Sequence, residues 1–76
     1  MVKSTNTPQY RALLDRLIAA RKASGLSQAD LAARLGRPQS FIAKIEIGER
    51  RIDVVEFLEL ARILGVSPAS VLENLS

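Results

Sequence analysis

Between Leu35 and Gln39 the chain places Gly36, Arg37 and Pro38, so that two helix breakers interrupt a pattern that is apolar and helical on both sides. Glycine supplies the left-handed backbone at which helices commonly stop, and proline cannot continue a helix but sits well at the start of a new one. A helix cannot run through this stretch. A three-residue connection instead holds the second segment at a steep angle to the first. Leu31 and Leu35 with Ile42 and Ile45 give the corner its apolar contacts, and Ala32 is small enough to let the second segment cross closely. Gln39, Ser40, Ala43 and Lys44 are then left facing outward.

The rest of the chain reads as helix too, because strand-like alternation is missing and its Val, Ile and Thr do not cluster in short runs between turns. The fold class expected is all-α, with five helices. Helix 1 starts near Pro8 with Thr7 as cap, carries Tyr10, Leu13, Leu14, Leu17 and Ile18 at helical spacing, and ends at Gly25. Helix 2 has Ser27 as cap with Asp30 three residues on, and stops at Gly36. Helix 3 follows Pro38 and ends before Gly48. Helix 4 opens with Asp53 and Glu56 and runs to Leu64, and Ser67 and Pro68 open a short helix 5. Residues 1–7 are polar and unpatterned and are expected to form a disordered arm, leaving residues 8–76 as one domain.

Composition narrows what such a domain can do. The 76 residues contain no cysteine and no histidine, which removes disulfides, thiolate metal sites, the usual neutral-pH general base and the commonest metal ligand. The eight carboxylates, Asp15, Asp30, Glu46, Glu49, Asp53, Glu56, Glu59 and Glu73, form no obvious inward cluster for a metal. A non-enzymatic protein without a cofactor or metal is expected. No apolar run approaches the ~20 residues of a membrane span, and Met1 to Thr7 lacks the apolar segment of a secretory signal, so the expected place of work is the cytoplasm. Charge is uneven: residues 1–51 hold ten Lys or Arg against four Asp or Glu, and residues 52–76 hold one against four. A basic first two thirds is the footprint of a nucleic-acid-binding face, although surface cations that merely solvate helices give the same count.

From about Tyr10 to Leu72 the chain resembles the phage Cro and C1 repressor-type helix-turn-helix family, also called the XRE family. The resemblance is carried by Arg21, Gly25-Leu26-Ser27-Gln28, Leu31-Ala32, Gly36, Ile42, Ile45-Glu46, Gly48, Leu60-Ala61 and Leu64-Gly65-Val66 in the family's order and spacing. It implies a compact five-helix, lambda-repressor-like domain with helices 2 and 3 as the helix-turn-helix. It also implies binding to a double-stranded operator, usually as a two-fold dimer, and transcriptional regulation, repression above all.

Carried over by position, the resemblance implies roles for single residues. Gln28 matches the family's glutamine at the start of helix 2, where its amide and the free backbone N–H groups can hold a DNA phosphate. Gln39, Ser40, Phe41 and Lys44 match the positions that read bases in the major groove; glutamine can bond bidentately to adenine. Phe41 cannot hydrogen-bond to a base, so it either contacts a thymine methyl or packs inside the domain, and both roles are open in sequence. Arg37, Arg50 and Arg51 flank helix 3, within reach of the sugar-phosphate backbone. Arg21 and Glu46 match a family pair expected to lock helix 3 against helix 1 through a bidentate contact.

Helix 4 carries more apolar surface than one core needs. Val54, Phe57, Leu60, Ala61 and Leu64 share an arc that can face the core, whereas Val55 and Leu58 fall outside it. With Val71, Leu72 and Leu75 they are expected to form the two-fold patch of a homodimer. A protein-interaction module, such as an antitoxin or adaptor with a protein partner on the same fold, is the alternative reading.

Overall fold

The structure is a computed structural model and describes residues 7–75. Five helices follow in order, α1 (Pro8–Ala23), α2 (Gln28–Leu35), α3 (Gln39–Glu46), α4 (Val54–Leu64) and α5 (Pro68–Leu72), and there is no strand among the described residues. The expected arm, residues 1–7, lies outside the described residues except for Thr7, which is not part of an arm. Its side chain caps α1, accepting from the Tyr10 backbone N–H at 3.2 Å.

Each helix starts and stops for a local reason. At the head of α2, Ser27 Oγ accepts from the Asp30 N–H and Asp30 returns the bond to the Ser27 N–H, both at 3.0 Å. Asp53 and Glu56 repeat this reciprocal box at the head of α4. Such caps satisfy donors that the first helical turn leaves open, each worth about 0.5–2 kcal/mol. Gly36 closes α2 in the left-handed region at φ 73°, a conformation that a side chain makes costly. The Arg37 N–H then bonds back to the Ala32 carbonyl at 2.9 Å, which completes the turn into α3.

The corner between α2 and α3 is the most closely packed helix pair; α1 packs on α3 and α4 on α2, and α5 rests on α1 and α4. Leu14 of α1 and Ile42 of α3 are the largest side chains shut wholly inside, surrounded by Leu17, Leu31, Ile45, Leu60 and Leu64. Burying an aliphatic side chain of this size contributes about 1.5–3 kcal/mol, so the core fixes α3 from behind. Arg16 ties down the far end, donating through Nη1 to the carbonyls of Val71 in α5 and Glu73 just past it.

Two apolar assignments are corrected by the packing. Val54 does not face the core; it is 73% exposed, because as the first residue of α4 it lies at the edge of the buried arc, roughly 70° from its centre at ~100° per residue. Val71 does not belong to an outer patch. It is 7% exposed and packs in the core, which leaves Val55, Leu58 and Leu72 exposed and Leu75 half-buried.

Candidate nucleic-acid interface

α3 has two unlike sides. Phe41, Ile42 and Ile45 are buried, and opposite them Gln39, Ser40 and Lys44 are exposed and Ala43 half-buried. The same outward arc continues to Ile47, the residue that ends the helix, which is 63% exposed. Ile47 is not among the residues expected on this face from sequence, although ~100° per residue places it between Ala43 and Ser40.

A chain of hydrogen bonds runs from α1 to this face. Arg21, only 9% exposed, donates to Glu46 through Nε to Oε2 at 2.7 Å and Nη2 to Oε1 at 3.1 Å, and its Nη1 donates to the Leu26 carbonyl at 2.9 Å. Glu46 Oε1 also accepts from Gln28 Nε2 at 2.8 Å, and Gln28 Oε1 in turn accepts from Gln39 Nε2 at 2.8 Å. Arg11 adds a bond from Nη2 to the Glu46 backbone carbonyl at 2.9 Å, a contact no local pattern announces because the two residues are 35 apart in sequence. The relay holds the heads of α2 and α3 in one register. It also sets the Gln39 amide: one N–H is used on Gln28, while a second N–H and the carbonyl oxygen point elsewhere.

Beside α3 lies a second cluster. Phe41 is buried at 9% exposure, so of its two open roles the structure provides packing, and both the Arg37 and Arg50 guanidiniums sit against its ring, at 4.4 and 4.5 Å from the centroid. Contacts of this kind contribute about 0.5–1 kcal/mol at exposed sites. Glu56 of α4 grips Arg50 with two bonds of 2.9 Å and stands 4.0 Å from Arg37. The Arg50 hydrogen bonds hold the Glu56 carboxyl below its usual range against the opposing effect of burial, and Glu56 raises Arg50 correspondingly. Arg51 lies over the Tyr10 ring at 4.2 Å, and the Tyr10 hydroxyl accepts from the Ile52 N–H at 3.1 Å. Each of the three arginines thus rests on an aromatic ring, Arg37 and Arg50 on Phe41 of α3 and Arg51 on Tyr10 of α1. The role of Glu56 was missed in sequence, where it read only as a cap.

The exposed apolar residues gather elsewhere. Val54, Leu58 and Leu72 border a groove of about 270 Å³ between α4 and α5, floored by Leu13, Ile52, Phe57 and Pro68. No cluster of three or more carboxylates is placed to hold a metal ion among the described residues, and no helix among them is long and apolar enough to cross a membrane.

Comparison with known proteins places this geometry. Residues 17–71 match the family described as Helix-turn-helix. An XRE-family like protein from Pseudomonas syringae pv. tomato is similar in structure with a TM-score of 0.83 and 54% identity, covering 88% of this chain and 82% of that one. In sequence the chain is 40% identical over 47 residues to an uncharacterized HTH-type transcriptional regulator of Sinorhizobium fredii, covering 62% of this chain and 61% of that protein. It is also 40% identical over 62 residues to a cyanate hydratase of Synechococcus, covering 82% of this chain but 41% of that protein. The chain therefore spans less than two thirds of either curated relative.

Proposed function

Because the chain belongs to the XRE family of helix-turn-helix proteins, we propose that it is a sequence-specific transcriptional regulator, a repressor working in the cytoplasm, that reads a palindromic operator with α3 in the major groove. The observation that carries this is the Gln28–Gln39 bond. It leaves Gln39 one N–H and one carbonyl oxygen, the pair that adenine N7 and N6 require. Ser40 and Lys44 read beside it. The apolar contact with a thymine methyl falls to Ile47, since Phe41 is buried.

Gln28 keeps a second N–H for a phosphate at the head of α2, where the helix dipole favours an anion. Arg37, Arg50 and Arg51 take the backbone flanking the groove, which positions the helix without specifying bases. The Val55, Leu58 and Leu72 face, with Leu75 at its margin, pairs two copies about a two-fold axis, and the acidic balance of residues 52–76 keeps this face away from phosphates. No catalysis is assigned. The likeness to cyanate hydratase covers less than half of that enzyme, and this chain has neither histidine nor cysteine.

Selection of bound duplexes from a random pool, followed by footprinting, tests the reading. It predicts a palindrome protected at two half-sites about one helical turn, ~34 Å, apart. Co-purification with a second protein and no duplex retained from the pool would instead favour the protein-interaction module.

A further inference from the structure

The Arg37, Phe41, Arg50 and Glu56 cluster places two guanidiniums against one ring with a single carboxylate between them. Two like charges so close repel each other, and they stay together because the ring stacks on both and Glu56 offsets one. The carboxylate divides its attention unequally, with two bonds of 2.9 Å to Arg50 and only a 4.0 Å approach to Arg37. Arg37 precedes α3 by two residues, and the Arg50 backbone N–H bonds to the carbonyl of outward-facing Lys44 at 3.1 Å, so the cluster runs along the flank of the reading face.

We propose that Arg37 and Arg50 form one composite phosphate clamp mounted on Phe41, and that Glu56 is its built-in counter-anion, masking part of the clamp's charge so that the phosphate backbone of any duplex is held less tightly. The inference rests on the DNA-binding reading above and deepens it. A DNA phosphate competes with Glu56 first for Arg37, the loosely held arginine, while Arg50 remains the fixed arm. Phosphate contacts carry no sequence information, so a carboxylate that subtracts from them lowers binding to every duplex and leaves base readout unchanged. Glu56 thereby sets the overall affinity, weakening operator and random duplexes by the same factor while the base contacts alone set the difference between them.

The test is fluorescence anisotropy with a random-sequence duplex and with the selected operator across a salt series. Glu56→Gln keeps an acceptor for the α4 cap and removes the charge. It is expected to tighten the random duplex about 2- to 5-fold, the scale of one exposed ion pair released, and to steepen the dependence of log affinity on log salt. Arg37→Ala is expected to make that dependence shallower by about 1. Phe41→Leu, which keeps an apolar core residue but removes the ring, is expected to make it shallower with base preference intact. A folded Glu56→Gln protein that binds the random duplex no more tightly than wild type overturns the proposal, as does Phe41→Leu with a wild-type salt dependence. Should Glu56→Gln fail to fold, Arg37→Ala and Phe41→Leu decide alone. Gln39→Ala separates the two levels: if it relaxes base preference while the cluster variants behave as wild type, only the clamp fails, and if it too changes nothing, the DNA reading fails.

Discussion

Arg21 of α1 and Glu46 in the last turn of α3 meet through two hydrogen bonds, Nε to Oε2 at 2.7 Å and Nη2 to Oε1 at 3.1 Å, with both side chains nearly shut off from solvent. A planar guanidinium matches both oxygens of a carboxylate at once, so the pair fixes orientation as well as distance. Removing one partner strands a buried charge. Glu46→Ala is expected to cost about 3–5 kcal/mol of stability, seen as a large fall in the urea midpoint and in Tm. An unchanged Tm would contradict the locking role.

The α4–α5 face makes a separate prediction about assembly. Leu58 is 48% exposed beside the apolar groove, so Leu58→Glu disturbs little inside the monomer while placing a charge where a second copy would rest. Wild type is expected to sediment as a dimer at micromolar concentration, and Leu58→Glu as a folded monomer with weakened operator binding. A monomeric wild type whose operator binding tolerates Leu58→Glu would argue against the two-fold face.

Stability should respond to acid through two carboxylates. Asp30 is lowered by the Ser27 backbone N–H and then its hydroxyl, and Glu56 by Arg50 and the Asp53 N–H against the opposing effect of burial. Both folded values lie below the ordinary 3.8 and 4.5, so the unfolded chain takes up protons first as pH falls. Their stabilising contribution is complete above those ordinary values and disappears as pH drops through the depressed ones. With no histidine in the chain, the urea midpoint is expected to stay level from about pH 8 to 6 and to decline in the carboxylate range. Glu56→Gln should flatten part of that decline. A midpoint that rises on acidification would contradict the assignment.

What was legible in sequence is what depends on neighbouring residues. The Ser27–Asp30 and Asp53–Glu56 boxes, the Gly36 stop and Pro8 and Pro68 as helix starts are written within four residues of where they act, and the helix boundaries followed from them. Val71 was misplaced because the periodicity of a five-residue helix cannot tell which side meets α1. The fate of Phe41 depended on Arg37, Arg50 and Glu56 converging from the turn, the following loop and α4. Arg11 reaching the Glu46 carbonyl and Tyr10 receiving the Ile52 N–H join residues 35 and 42 apart. Contacts of that range are set by packing, which local patterns do not encode.

The central claim is that α3 reads bases, and Gln39→Ala measured on the selected operator tests it most directly. Gln39 is exposed and outside the core, so the variant should melt close to wild type. Its affinity for the operator is expected to fall by about 1–3 kcal/mol, the worth of one bidentate base contact, with base preference relaxed at one position in each half-site. Random-duplex affinity should barely change, because phosphate contacts are untouched. Operator affinity and base preference that both survive Gln39→Ala and Lys44→Ala would contradict the account and assign the outward face of α3 to a protein partner.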